Sequence, residues 1–368
     1  MSLVPPDYRA ARRAFREAAE ARGAALESHA PSGDCDLSTD VARIGPSAAG
    51  RVLVVLSGTH GNEGLAGSAI QLDLLARLDV LFAAHGGLPP DFALVLVHAI
   101  NPWGMAHLRR QNAANVDLNR NFRDWSRPPP ARPVYRALHP LLVPETMDAA
   151  TEAAFLARAT ALLEDHGEAW LAARLTEGQY EEPDGLYWGG GGPAAESQIA
   201  CAILARHLEG AREALLVDCH TGMGAFGDWL VLAGAAADPA EGAFLARAFA
   251  PQRLRFQTGG AAGPGDAAPR IEGRMTAAIA RAHPGVAVRG FSLEFGTAPA
   301  RDIFLAERRE QWAWARLGTD HPERAEAARA LHRLLVPEDP LWQARLIDGA
   351  RACLADGLRA LVGEGAPR

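Results

Sequence analysis

Four short runs of apolar residues punctuate the chain: RVLVVLS (51–57), FALVLVHAI (92–100), ALLVDC (214–219) and VAVRGFSLEF (286–295). Brief, nearly continuous apolar runs of this kind are expected of strands buried on both faces. WLVLAG (229–234) is a fifth, weaker candidate. Between the runs, apolar positions recur at helical spacing over roughly 63–84, 145–175, 195–209, 239–250 and 270–282. The N-terminus is helix-like from Tyr8, and the region from about 300 to 360 is helical with breaks near Pro322 and Pro337. Strands alternating with helices predict an α/β sheet that is at least partly parallel. The expected layout is a single domain over residues 1–368, with helices appended at both ends and no internal repeat. SRPPPARP (126–133) reads as a surface loop. GLYWGGGGP (185–193) and QTGGAAGPGDAAP (257–269) either border a cleft or simply face solvent.

The unusual polar residues cluster where the apolar runs end. His60 and Glu63 follow the first run in SGTHGNEG (57–64). RRQNAANVDLNRNF (109–122) comes after the second, DCHTGMG closes the third and LEFG closes the fourth. In open α/β sheets ligands collect at the carboxyl ends of strands, so these groups converge on one site. His60 and Glu63, three residues apart, can share one side of a turn, and His220 can arrive from a neighbouring strand. Two imidazoles and a carboxylate form a three-ligand zinc set with a coordination position left for water. Glu294, flanked by apolar residues, could serve beside that water as general base. Its bland alternative is a buried ion pair, for instance with Arg289. Arg109, Arg110, Arg120, Asn112, Asn119 and Asn121 offer donors suited to a carboxylate or an oxyanion. Asp117 could orient a ligand histidine.

Bulk properties narrow the partners. A chain of 368 residues, 48% apolar, can bury a core of enzyme size. Its formal charge of −7 argues against a nucleic-acid partner. Cys35, Cys201, Cys219 and Cys353 form no C-x-x-C pair, which argues against a cysteine-built zinc site and suits a reducing cytoplasm. The N-terminus lacks the apolar core of a signal peptide, and no uncharged apolar run approaches the roughly 18 residues of a membrane span. A serine nucleophile is disfavoured by the absence of G-x-S-x-G. Cys219 would point to the opposite strand face from His220.

The ordered motifs HGNE, NVDLNRNF, DCHTG and LEFG resemble the zinc metallocarboxypeptidase superfamily, which includes the succinylglutamate desuccinylase and aspartoacylase type of amide hydrolase. The longer strings SGTHGNEGLAGSAIQ and VHAINPWGMAHLRRQN resemble a bacterial branch of mostly unassigned function. The resemblance spans about residues 51–300. It implies a mixed, mainly eight-stranded twisted sheet flanked by helices. It also implies one Zn2+ ion on His60, Glu63 and His220, with a second metal left open. Glu294 would be general base, Arg110 would polarise the scissile carbonyl, and Asn119 and Arg120 would clamp a substrate carboxylate. Arg109 stays a candidate beside Arg110, and Asp117 would orient a ligand histidine. The implied activity is hydrolysis of an amide bond next to a free carboxylate, on a small molecule or short peptide. N-acyl amino acid deacylation and ester hydrolysis are alternatives, and a non-catalytic carboxylate or peptide binder is one of another class. One departure stands out: digestive carboxypeptidases place a mobile tyrosine between the third ligand and the general base. Here Tyr8, Tyr135, Tyr180 and Tyr187 all lie before His220. Tyr180 and Tyr187, in and beside the glycine-rich loop, are the ones that could reach a cleft from another direction.

Overall fold

The computed structural model describes residues 2–83, 86–234, 239–257 and 271–362. Most of the expected 257–269 loop lies outside the described residues. Eight strands form one mixed sheet: β1 (Ala25–His29), β2 (Thr39–Ile44), β3 (Arg51–Leu56), β4 (Phe92–His98), β5 (Glu213–Phe226), β6 (Trp229–Gly234), β7 (Leu254–Gln257) and β8 (Ala287–Gly296). Their order is β1-β2-β4-β3-β5-β8-β6-β7. The four longer apolar runs supply the centre, β4-β3-β5-β8, and these strands are mutually parallel. Antiparallel β2 and β6 flank that centre. The α/β sheet flanked by helices is therefore as expected.

Helices connect and cover the strands. The first is α1 (Tyr8–Ala21); α2 (Gly64–Ala76) and α3 (Leu78–Leu81) follow β3; α4 (Pro102–His107) and α5 (Leu118–Asn121) follow β4. Then come α6 (Pro133–Leu142), α7 (Ala149–His166), α8 (Glu168–Thr176) and α9 (Ala195–His207) before β5. The remainder are α10 (Pro239–Ala248), α11 (Met275–Ala282), α12 (Ala300–Arg316), α13 (Pro322–Leu335) and α14 (Pro340–Val362). The C-terminal breaks fall where the two prolines predicted them. The stretch 145–175 is two helices, because Gly167, at φ +82°, turns the chain between α7 and α8. The 64–81 stretch likewise divides at Arg77.

Strand alternation sorts the core. Leu53 and Val55 join Leu215, Val217, Cys219, Phe291 and Leu293 on one face, beneath α2 and α14. Val52, Val54 and Leu56 face the other way, with Leu216 and residues of α9 and α11. Cys219 thus packs in the first core layer, away from the face that His220 occupies. Among the described residues no helix is long and apolar enough to cross a membrane.

Candidate metal centre and adjoining cavity

The three parallel strands β3, β5 and β8 deliver the site from their carboxyl ends. Gly58 turns the chain just after β3, at φ +67°. Gly61 lies so close to α4 that a Cβ there would stand 2.0 Å from the Gly104 carbonyl carbon. The resulting tight 3-10 turn, Gly61–Glu63, brings His60 and Glu63 together. His60 Nδ1 is 2.9 Å from Glu63 Oε1, and His220 Nδ1 is 3.2 Å from Glu63 Oε2. The backbone N–H of Thr221 donates to Glu63 Oε2 at 2.8 Å. All three side chains are buried, and one ligand atom from each lies within 4.8 Å of the others.

Each imidazole turns its other nitrogen to a carboxylate. Asp218 Oδ2 sits 2.7 Å from His220 Nε2, while its Oδ1 accepts from Thr59 Oγ1 at 2.7 Å. Asp117 Oδ1 lies 3.3 Å from His60 Nε2. Asp117 also caps α5, accepting from the Asn119 N–H, and takes the Arg110 Nε–H at 2.9 Å on Oδ2. Such carboxylates fix the tautomer and orientation of metal-bound histidines. Burial alone would lower the His220 pKa, yet Asp218 and Glu63 hold it well above its usual value. Burial would raise Glu63, but His60 and His220 keep it well below the usual carboxylate range. The cluster therefore draws positive charge, and its N,O,N donor set fits a zinc ion.

Glu294 faces this cluster from β8, directly opposite His220 in the strand register. It lines the cavity, yet its buried Oε2 has no hydrogen-bond partner. Burial pushes its pKa up to about 8. Arg289 instead pairs with Glu213 at 3.3 Å, so it is not the ion-pair partner of Glu294. The Arg110 guanidinium stands 3.7 Å from Glu63 and 3.7 Å from Glu307 of α12, with the Tyr187 ring beneath it. Asp117, Glu307 and Glu63 overcome burial and raise its pKa. Asn119 and Arg120 line the same cavity. The Arg120 Nε and Nη2 groups both donate to the Thr176 carbonyl, and Nη1 donates to the Asn119 carbonyl.

Arg109 is the exception. It does not line the cavity; its guanidinium is buried against Glu310, Gln311, Asn115 and the ring of Trp314. The salt bridge to Glu310, 2.6 Å, commits it to holding α12. Of the two loop tyrosines, Tyr187 lines the cavity and hydrogen-bonds Glu307, whereas the Tyr180 hydroxyl donates to the Arg120 carbonyl. Three lining or supporting groups had not been singled out for a role: Asp218, Glu307 and Arg274. Asp218 had a readable signal, because residue i−2 on a strand shares the face of His220.

The sequence profile of a family described as "Protein of unknown function (DUF2817)" matches residues 6–348. The chain belongs to this family. No curated protein matches it. Among solved structures, bovine thrombin-activatable fibrinolysis inhibitor in complex with tick carboxypeptidase inhibitor is 11% identical. The match covers 96% of this chain and 98% of that one, with a TM-score of 0.51. A metallo-carboxypeptidase from Pseudomonas aeruginosa in complex with (2-guanidinoethylmercapto)succinic acid is 17% identical, covers 95% and 68%, and has a TM-score of 0.43. The succinylglutamate desuccinylase of Chromobacterium violaceum is 16% identical, covers 88% and 73%, and scores 0.38. The superfamily resemblance carried by the motifs is thus met at the level of fold, and this DUF2817 chain carries its sheet.

Proposed function

We propose that this DUF2817 protein is a zinc-dependent hydrolase that cleaves an amide bond next to a free carboxylate. One observation carries the reading: His60, Glu63 and His220 converge on one point, and an unpartnered carboxylate oxygen of Glu294 faces the same cavity. His60 and His220 would hold the ion through Nδ1, with Glu63 as third ligand. Bound there, zinc lowers the pKa of water from 15.7 towards about 7 and polarises a carbonyl. Glu294 takes the proton of the attacking water and returns it to the departing amine nitrogen. Its burial matters here, because a carboxylate of raised pKa both accepts and releases a proton near neutrality.

Arg110 stabilises negative charge developing on the carbonyl oxygen. Its Nε is spent on Asp117, which aims the planar group and leaves the far edge for the substrate. Asn119 and Arg120 receive the substrate carboxylate. The Asn119 Oδ1 accepts from the Met275 N–H at 3.2 Å, which frees its amide nitrogen as a donor. The Thr176 and Asn119 carbonyls hold the Arg120 fork in place with two N–H groups still unspent.

The test is metal removal followed by repletion. Chelated protein is assayed on panels of short peptides and N-acylated amino acids, with and without added zinc. Amine release should vanish with the metal and return with it. Turnover indifferent to chelator, or none on either panel with zinc restored, would refute the reading.

A further inference from the structure

The cavity that holds the candidate metal centre extends far beyond it. Its volume is about 760 Å³, well into the range of about 300–1,000 Å³ in which drug-sized ligands are buried. Its polar lining comes from the strand ends, α5 and the start of α11. The rest is a mainly apolar arm contributed by α6, α7, α8 and α12, with Thr160, Glu168, Thr176 and Arg301 also on it.

The helix α7 presents Leu156, Ala159 and Leu163 to this arm, at spacings of three and four. Leu156 and Leu163 remain 46% and 41% exposed, although Leu162 of the same helix is buried. Residues seven apart on a helix stand roughly 10 Å from each other along its axis. Leu171 and Leu175 of α8 and Phe304 of α12 line the arm as well. Tyr187 joins the two parts: its ring belongs to the apolar cluster of α6, α7 and α8, and it also lies under the Arg110 guanidinium. The same ring stands 6.0 Å from the Arg120 guanidinium, which Thr176 of α8 holds, so the arm opens beside both arginines, where the scissile carbonyl and the substrate carboxylate are placed. An amino-acid side chain fills a fraction of such a space, and an extended alkyl chain follows its length.

The polar end supplies the matching charge. Arg110 and Arg120 are tied to Asp117 and to backbone carbonyls. Arg274, the residue before α11, is half-buried and lines the cavity; its backbone carbonyl accepts from the Ala278 N–H, while its guanidinium makes no hydrogen bond or close ion pair among the described residues. It is a guanidinium with no hydrogen-bond acceptor, near enough to Glu294 to feel its charge.

We propose that the substrates are N-acyl amino acids with a long aliphatic acyl chain, the chain lying along α7 and α8 and the amino-acid carboxylate meeting Arg274 beside Arg120. This rests on the amide-hydrolase reading and names its substrate class. In the reaction the water oxygen bonds to the acyl carbon and the C–N bond breaks. A fatty carboxylate and an amino acid leave, the amine having received the proton from Glu294.

The test uses N-butanoyl-, N-octanoyl- and N-dodecanoylglycine. Binding is measured by calorimetry on zinc-loaded Glu294→Gln, and hydrolysis on the zinc-loaded wild type. Affinity should rise by up to about fourfold per methylene, the equivalent of ~0.8 kcal/mol for a buried CH2. Adding Leu156→Gln and Leu163→Gln should flatten that rise, and because both leucines are exposed the fold is not at stake. Arg274→Ala should weaken all three ligands by about tenfold or more, the loss of a charge-assisted hydrogen bond, and leave the chain-length slope intact. A flat affinity series, or a slope that survives the leucine changes, overturns the proposal. Zinc-dependent hydrolysis of short acyl and peptide substrates with a flat series removes the long-chain inference alone. A steep, leucine-dependent binding series with no hydrolysis removes the hydrolase reading and keeps the acyl-chain site.

Discussion

Two buried clusters of histidine, carboxylate and arginine lie at different places on the sheet, and they differ in what each leaves unpaired. The first joins α1, β2 and β4. Asp40, fully buried, accepts from Arg12 Nε at 2.7 Å, Arg16 at 2.9 Å and the Ser28 hydroxyl. His98 lies opposite Asp40 in the strand register, stacks on Phe15 and places Nε2 3.1 Å from the Ser68 hydroxyl. Its Nδ1 is unpartnered, and burial keeps the ring neutral by lowering its pKa to about 4. The second cluster is the candidate metal centre. There a buried carboxylate oxygen, Glu294 Oε2, and the Arg274 guanidinium face a cavity with no hydrogen-bond partner among the described residues, held only by longer-range attraction. Buried charge alone does not mark a functional site. Charge left unmatched beside an open volume does, because folding has borne its desolvation without the return of a partner.

The largest effect expected separates the clusters by chemistry. Glu294→Gln keeps the shape and removes the base. Activity should fall by roughly 10²–10⁴, the span of general acid–base catalysis, with zinc still bound at the wild-type stoichiometry. Steady-state kinetics paired with metal analysis reads both. Loss of the metal, or wild-type rates, would move Glu294 from chemistry to structure.

Asp40→Ala should do the opposite. Removing the acceptor of two arginines costs about 3 kcal/mol of stability, at the low end for a broken buried pair. The low end applies because the Arg12 and Arg16 side chains, 20% and 35% exposed, can turn to water. Denaturant unfolding would register the loss while kcat/KM at a permissive temperature stays unchanged. A parallel loss of activity would erase the distinction between the two clusters.

The first cluster also predicts a pH dependence of stability. Between about 4 and the usual 6.5, the unfolded chain binds a proton at His98 that the folded chain refuses. Protons bound in the unfolded state make stability rise with pH. The contribution, about 3 kcal/mol, is complete above pH 6.5 and disappears as pH falls through about 4. His98→Gln should flatten this part of the curve, measured as the difference between variant and wild type. Parallel curves from pH 4 to 7 would place the acid sensitivity elsewhere.

The same contrast explains what was legible in the sequence. His60, Glu63, His220 and Glu294 sit at or just past the ends of apolar runs, so strand order alone gathers them. The edge elements lacked that signal. TDVARI of β2 carries Asp40 and Arg43 inside a buried strand, and its partners on α1 and at Ser28 are remote in sequence. The third apolar run ends at Cys219, whereas β5 continues to Phe226 through Gly222 and Gly224, at φ +119° and +113°, as an irregular extension that carries no apolar run. Glu307 sits in a helix of ordinary amphipathic pattern, and its approach to Arg110 depends on how α12 docks. Arg109 and Arg110, adjacent in sequence, were separable only by the fold: one holds α12 through Glu310, the other faces the cavity. Local pattern records which face a residue takes, not which distant element meets it.

The smallest effect tests the carboxylate that joins the two types of cluster. Asp218 resembles Asp40 in having both oxygens engaged, by Thr59 Oγ1 and His220 Nε2, yet it supports a residue of the open kind. Asp218→Asn retains an oxygen that can accept from Nε2–H but withdraws the negative charge that holds the His220 pKa up. If His220 binds the metal through Nδ1, that charge makes the ring a better donor, and zinc affinity should drop about 10–100-fold. Competition against a chromogenic chelator measures the change, and the thermal midpoint of the metal-free variant controls for structure. An unaltered affinity with a lowered midpoint would class Asp218 with Asp40, as a group that stabilises the fold. It would also leave the metal's electronic support to Asp117 and His60 alone.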